Sequence, residues 1–443
     1  MKKISWFFWQ CFWIIQICIS LIIVMFFSKI FFLKKRLKFE KKNNLDLHCQ
    51  SFNKRGIRAD CCFQFSSEGE WEQIRYLVET ILKAGKKIEL IFTSPSVEHR
   101  ILALNNKNLR YLRMPLLDYE QALMLEHWIT SATILCNRYD LFPGIMKLAR
   151  KRKIILLNFY LSPSAAFSKK MLFFISLALF SKIYASSENE KKLVQILPFS
   201  YLNISIQGLS EFRLLSIMER MNGAHDLLGR KFSGLYYLLN EVKSSFPLIQ
   251  RIIAGNFYPK EVESVIGQSG LLDLIKNKKI FFVVVPHRPE DLNWDRFVGD
   301  QSLFIYQIDA SDSMNSWIEL CQNWERNPGL IVIKGKGFLL ELFSFFDFAI
   351  VGGGFFAKSH SVLEPFVSGA ITICGRNTNH STEFEYCKEI DRERLIQLQD
   401  LSELSIVVEE RLDKQKDRGE FNSLVKLRLE NQEDMMSDLL KEI

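Results

Sequence analysis

Asp347 to Gly375 reads DFAIVGGGFFAKSHSVLEPFVSGAITICG, and this stretch decides the fold. Phe348-Ala349-Ile350-Val351 has the length and composition of a buried parallel strand. Gly352, Gly353 and Gly354 follow at its carboxyl end. Ser361 to Val367 places apolar residues at helical spacing, Gly369 stops that helix, and Ala370 to Cys374 is the next strand. Strand, glycine turn, helix and strand form a unit whose open edge collects anions, through bare backbone N–H groups and the positive end of the helix. Glycine turns of this kind also occur in α/β proteins with no ligand there. His360 and Glu364 stand four apart, on one helical face if the helix begins there, and could hold a ribose hydroxyl and a charged donor group. No third ligand stands at a spacing that suits a metal.

The same alternation runs outward in both directions. Strands are expected at Ala59–Phe65, Ile88–Phe92, Ala132–Cys136, Ile154–Asn158, Ile183–Ser187 and Ile204–Gly208, with polar residues gathered after each. Trp71 to Lys83 and Tyr119 to Ile129 are expected helices, the first with Ile74, Leu77, Val78 and Ile81 on one face. From Leu209 to Phe246 the pattern turns helical and charged. The second half restarts at Ile252–Asn256 and continues through Ile280–Val285, ending in Pro286-His287-Arg288-Pro289-Glu290, and Leu330–Ile333. The tail after Arg392 reads as charged helices. The expected fold is α/β, with two Rossmann-like doubly wound domains facing across a cleft and sites at their carboxyl edges. The expected domains are 1–40, anchor and basic flank; 41–230, acceptor side; 231–420, nucleotide side; and 421–443, helical tail.

Ile4 to Phe27 is almost unbroken apolar sequence, about the length of one membrane-spanning helix, with Trp6, Trp9 and Trp13 in its first half. The heavier basic flank, Lys29, Lys34, Lys35, Arg36 and Lys38, follows it and is expected to stay in the cytoplasm. No small-residue cleavage site follows, so an uncleaved single-pass anchor is the expectation; a signal peptide and a membrane-surface hairpin are the alternatives. Phe167 to Phe180 is an apolar helix too short to span. The basic run Lys147 to Lys153 reads as a solvated helix face or one lying against anionic headgroups.

The chain has 443 residues, enough for two domains, and a formal charge of +8 that favours an anionic partner. No RNA-binding motif, zinc spacing or arginine-rich arm is present, so nucleic acid is not an expected partner. Nine cysteines without a C-x-x-C pair suit reduced thiols. Two facing halves suit a reaction joining a nucleotide-bearing donor to a second substrate, with Arg288 and the glycines meeting phosphate. Glu70, between Gly69 and Trp71 at a strand-to-helix turn, could take a proton from an acceptor hydroxyl. It could equally be a helix N-terminal carboxylate that complements the macrodipole.

Ser66 to Gln73 (SSEGEWEQ), Asn158 to Ser164, Pro286-His287-Arg288 and GGGFFAKSHSVLEP together resemble the 3-deoxy-D-manno-octulosonic acid (Kdo) transferases of lipopolysaccharide biosynthesis. The match runs in order from about Phe63 to Glu385, behind the same kind of N-terminal anchor. The resemblance implies an inverting, metal-independent glycosyltransferase of the GT-B fold that needs no cofactor. It would move Kdo from CMP-Kdo to a lipid A precursor at the inner membrane, in contact with its lipids. It implies Glu70 as the general base and Ser67, Thr93, Asp140, Ser162 and Ser164 on the acceptor side. CMP would be held by Pro286, His287, Arg288, Gly352, Gly353, Gly354, His360, Ser361 and Glu364, with Asn377 and Glu383 completing the donor pocket.

The chain also departs from that pattern. Asp140 and Phe142 stand where the family has glutamate and tryptophan, and Tyr160 replaces an arginine. Glu68 puts a second carboxylate two residues from Glu70, and Phe356, Ala357 and Lys358 replace a glycine-rich stretch. Gly375-Arg376-Asn377 stands where glycine-proline is usual. A related transferase with another nucleotide sugar or acceptor, and a non-catalytic membrane-bound member, are the competing expectations.

Overall fold

The structure is a computed structural model that describes residues 2–27, 30–44, 58–138, 140–161, 166–196, 205–208, 210–288, 290, 304–378, 381–411 and 418–443. The chain divides into two compact units, Met1–Arg213 with Asn431–Ile443, and Leu214–Glu430. The division falls ahead of the crossing expected at 230 to 231, because the helices Arg213–Asn222 and Ala224–Lys231 belong with the second unit.

The first unit is built on a seven-stranded sheet in the order β3-β2-β1-β4-β5-β6-β7. Its strands are β1 (Cys61–Phe65), β2 (Ile88–Phe92), β3 (Leu109–Arg113), β4 (Thr133–Asn137), β5 (Lys153–Phe159), β6 (Lys182–Ala185) and β7 (Ser205–Gln207). All pairs are parallel. Parallel strands need crossovers on both faces, so the central strands are buried on both sides and carry near-continuous apolar runs. Strand order reverses between β1 and β4, so loops leaving these two strands diverge and open a crevice at their carboxyl ends.

The second unit repeats the plan, with order β10-β11-β9-β8-β12-β13-β14, all parallel. Its strands are β8 (Gln250–Phe257), β9 (Ile280–Pro286), β10 (Phe304–Asp309), β11 (Gly329–Lys334), β12 (Phe348–Val351), β13 (Ile371–Gly375) and β14 (Leu395–Leu398). Here the order reverses between β8 and β12. The two doubly wound parallel sheets are the α/β architecture expected. Three strands depart from the reading: β3 and β10 were not expected, and β14 lies where the tail reads as helix. All three are edge strands without a continuous apolar run, and β10 and β14 are partly exposed.

The N-terminal helix Lys2–Ile22 is long and apolar enough to cross a membrane by length and composition. It packs on the first unit, with Trp9 only 1% exposed within that unit's core. Lys147, expected on a face open to solvent or to anionic headgroups, is buried beneath it, with its ammonium 3.4 Å from the centre of the Trp13 ring. The apolar segment after Phe167 forms a helix to Ser176 and then a tighter turn, Leu177–Leu179.

Candidate active site

In the first unit, β1 ends at Phe65 and the helix Glu68–Lys83 begins within three residues. Ser67 caps that helix, its hydroxyl accepting the Glu70 N–H at 3.4 Å. Glu70 therefore sits in the first helical turn at the β1–β4 switch point, and its side chain folds back rather than reaching into solvent. The Ser66 N–H donates to Glu70 Oε2 at 2.6 Å, and Glu70 is 6% exposed. Burial is the main force on its acidity and the neighbouring Asp140 carboxylate adds to it, raising the pKa to about 7. The Ser66 N–H and Arg138 oppose that rise without cancelling it.

A polar network fixes the floor of this edge. Asn137 Nδ2 donates to the Glu70 carbonyl at 3.1 Å and to Gln73 Oε1 at 3.2 Å. Arg138 Nε donates to the same Gln73 oxygen at 3.1 Å, and Asn158 Nδ2 to Asn137 Oδ1 at 2.9 Å. Arg138 and Asn158 both hold positive φ, 60° and 49°. Asparagine tolerates that region, whereas for arginine it is uncommon, so backbone strain gathers at the ends of β4 and β5. The hydroxyls of Ser66 and Thr93 are buried and make no hydrogen bond among the described residues. Glu68 turns outward to Arg100, 3.1 Å away, so the carboxylate that presses on Glu70 is Asp140.

In the second unit the glycine turn is occupied by the protein itself. Glu261, at the start of the helix Pro259–Ile266, accepts the Gly353 N–H at 2.8 Å and the Tyr258 N–H at 2.9 Å, and Phe355 N–H adds a third bond. The Gly352 N–H goes to the Gly255 carbonyl at 2.9 Å. The expected cradle of N–H groups at 352 and 353 is therefore already engaged, and these donors do not stand ready for a phosphate. The glycines are needed for room. A Cβ on Gly352 would stand 2.2 Å from the Asn256 carbonyl, and one on Gly353, at φ 89°, 2.3 Å from the Lys358 carbonyl.

Cationic groups gather beyond β8, at the ends of β9 and β11. A cavity of about 330 Å³ opens beside the ends of β9 and β11, lined by Asn256, His287, Arg288, Lys336, Gly337 and Phe338 among others. Gly335 and Gly337 flank Lys336 at φ 128° and 87°, which presents the lysine on a sharp turn. His287, Tyr258 and His360 cluster beside it, with ring centres 5.0 Å apart for Tyr258–His287 and 4.7 Å for His287–His360, and Tyr258 and His360 stacked at 5.7 Å. Burial, and then His287, lower the His360 pKa to about 4, so its imidazole is neutral near pH 7. Its Nε2 is buried and makes no hydrogen bond among the described residues.

No protein-family model matches this chain, and no curated protein does. Solved structures with similar chain paths include the C-terminal CMP-Kdo binding domain of WaaA from Acinetobacter baumannii, at 17% identity over 48% of this chain and 98% of that one, TM-score 0.34. UDP-GlcNAc 2-epimerase from Neisseria meningitidis bound to UDP-GlcNAc is similar at 12% identity over 84% of this chain and 98% of that one, TM-score 0.48. A glycosyltransferase from Rickettsia africae ESF-5 stands at 10% identity, 87% and 100% coverage, and TM-score 0.48. At these values the fold rests on the strand order itself, and the site on its own geometry.

The expected donor residues of the second unit are mostly drawn together. Pro286, His287 and Arg288 end β9, while Gly352, Gly353, Gly354 and His360 surround the β12 turn. Ser361 Oγ donates to Glu383 Oε2 at 2.8 Å, and Asn377 N–H closes on the Gly354 carbonyl at 3.0 Å. One pairing fails. The helix starts at Leu363, so His360 precedes it, and His360 and Glu364 do not share a helical face. In the first unit Ser67, Thr93 and Asp140 lie near Glu70 in the chain's loops, whereas Ser162 and Ser164 fall outside the described residues. Sequence reasoning passed over Asn137, Gln73, Tyr258 and Lys336. Lys336 had a visible sign, a Gly-Lys-Gly turn between an apolar strand and a helix. Glu261 stands three residues after Tyr258, the residue before the helix, at the spacing from which a carboxylate accepts the N–H of the capping position.

Proposed function

We propose that the protein is an inverting glycosyltransferase that moves a sugar from a nucleotide-activated donor to the hydroxyl of a lipid acceptor at the inner-membrane surface. The motif resemblance makes CMP-Kdo and a lipid A precursor the favoured pair. The observation that carries the reading is Glu70, a buried carboxylate at a topological switch point with a pKa of about 7. A base works best when its pKa lies near the working pH, since it is then both ionised and basic enough to accept a proton.

In this reaction the ionised Glu70 takes the acceptor's hydroxyl proton as that oxygen bonds to the anomeric carbon. The bond from that carbon to the phosphate oxygen breaks on the opposite face, and its electron pair leaves with CMP. Arg288 and Lys336 meet the charge gathering on the departing phosphate. Neutral His360, with Tyr258 and His287 packed beside it, offers an aromatic, hydrogen-bonding wall for the nucleoside. Asn137 and Gln73 act as positioning residues that hold the Glu70 turn. The chemistry asks for no metal.

A different nucleotide sugar is the second reading, favoured by exposed Phe356, Ala357 and Lys358 in the turn after the glycines. The test incubates membrane-bound protein with CMP-Kdo and a lipid A precursor and follows CMP release, with and without chelator. Turnover unaffected by chelator and lost in Glu70→Gln, with CMP binding retained, supports the proposal. Consumption of another nucleotide sugar alone supports the second reading, and no turnover with any donor refutes both.

A further inference from the structure

The N-terminal helix is apolar, but its polar atoms are not scattered. Ser5, Trp6, Trp9, Trp13, Gln16 and Ser20 recur at helical spacing along one stripe, and that stripe faces the first unit. Trp6 Nε1 donates to the Lys147 carbonyl at 2.7 Å and Trp9 Nε1 to Ser176 Oγ at 3.0 Å. Gln16 Nε2 donates to the Pro115 carbonyl at 3.4 Å, and Ser20 Oγ to the Leu116 carbonyl at 2.8 Å. The fastened stripe thus runs roughly 20 Å, at 1.5 Å per residue, along a folded α/β domain. The opposite face carries Phe7, Ile15, Ile22 and Phe26, each at least half exposed. Met124 and Met171, on two other helices of the same unit, are also at least half exposed.

The next helix, Phe31–Lys41, is fastened as well. Arg36 Nη2 donates to the Met114 carbonyl at 2.8 Å, and Glu40 Oε2 accepts the Leu117 and Asp118 N–H groups at 2.9 and 2.8 Å. Its Phe31 and Phe32 point outward, 71% and 78% exposed, and Lys34, Lys35 and Lys38 are exposed beside them. A helix held this way cannot cross a bilayer alone. Crossing would carry Lys147 and Arg150, which lie against the Trp13 and Trp6 rings, to the depth of the hydrocarbon.

We propose that the segment Lys2–Lys41 is a fixed part of the first unit that lies in the plane of one leaflet, apolar face in the acyl layer and lysines among anionic headgroups, without crossing the membrane. The occupant of the apolar face is a lipid leaflet, because lysines ring it at both ends, Lys2 and Lys3 at one and Lys34, Lys35 and Lys38 at the other. The inference rests on the membrane association proposed above and not on the sugar chemistry.

The test uses the full chain with a protease-cleavable tag before Met1, in inverted and right-side-out membrane vesicles. An in-plane segment leaves the tag and the α/β body cleavable from the same side. A tag cut only from the side opposite the body overturns the inference while leaving membrane association intact. With purified protein and phosphatidylglycerol-containing vesicles, Phe7→Ser with Ile15→Ser and Phe26→Ser should lower the bound fraction at least about tenfold. Unchanged vesicle binding, with a dimer converted to monomer, would assign the face to a second copy. Wild type that fails to bind vesicles would overturn membrane association itself.

Discussion

The carboxylate of Glu261 fills the turn after β12, accepting the Gly353 N–H at 2.8 Å. A side chain from another strand's loop thus holds open the glycine bend that the sequence offers as an anion nest. Glu261 is fully buried, and burial raises its pKa despite three backbone donors. Glu261→Ala should leave the Gly353 and Tyr258 N–H groups without an acceptor and cost about 1–3 kcal/mol in urea unfolding. Glu261→Gln keeps one acceptor oxygen and should lose less. Wild-type stability in Glu261→Ala would show that the carboxylate does not brace the turn.

The cations beside that turn are expected to bind the donor's phosphate. Arg288→Ala and Lys336→Ala should each weaken CMP binding roughly tenfold, about 1.4 kcal/mol, and steepen neither variant's unfolding curve. Titration calorimetry with CMP, compared with cytidine, reads this directly. If cytidine binding falls as much as CMP binding, the two residues do not recognise phosphate.

Acid should destabilise the protein through His360. Its folded pKa of about 4 lies below the ordinary value of 6.5, so the folded state resists its protonation. The native state is unpenalised above pH 6.5 and loses stability as pH falls from 6.5 to 4, on the order of 2 kcal/mol for this half-buried ring. His360→Phe should flatten that part of the stability–pH curve while weakening nucleotide binding. An unchanged slope between pH 6.5 and 4 would remove His360 as its source.

Glu70 works in the opposite direction. Its pKa rises from 4.5 to about 7 on folding, so the protonated form favours the native state. Stability contributed below pH 4.5 is lost as pH rises through 7, up to about 3 kcal/mol. Glu70→Gln should therefore melt higher than wild type at pH 8 and nearly equally at pH 4.5, as thermal unfolding at the two values will show. A lower melting temperature at pH 8 would mean that the carboxylate stabilises the fold.

Much of the scaffold was legible because doubly buried strands leave uninterrupted apolar runs, and Ile88–Phe92 and Phe348–Val351 have the bounds read from sequence. Edge strands such as Leu395–Leu398 mix Gln with Leu and leave no such trace. The candidate site was legible where chemistry coincides with a strand end, as at Glu70 and Arg288. It was not legible where one loop braces another. Nothing local ties Glu261 to Gly353, ninety-odd positions on, or Asn137 to the Glu70 carbonyl. The stripe from Ser5 to Ser20 was legible in principle, since its spacing is helical, but mean hydropathy hides it.

The dependence of single-turnover CMP release on pH tests the Glu70 assignment most directly. With donor and acceptor saturating, the rate should climb with pH and level off above an apparent pKa near 7, the ionisation of the Glu70 carboxyl. Glu70→Gln should bind CMP normally, lose roughly a thousandfold in rate and lose the climb. A variant within tenfold of wild type, or one that keeps the same pH climb, would contradict Glu70 as the base.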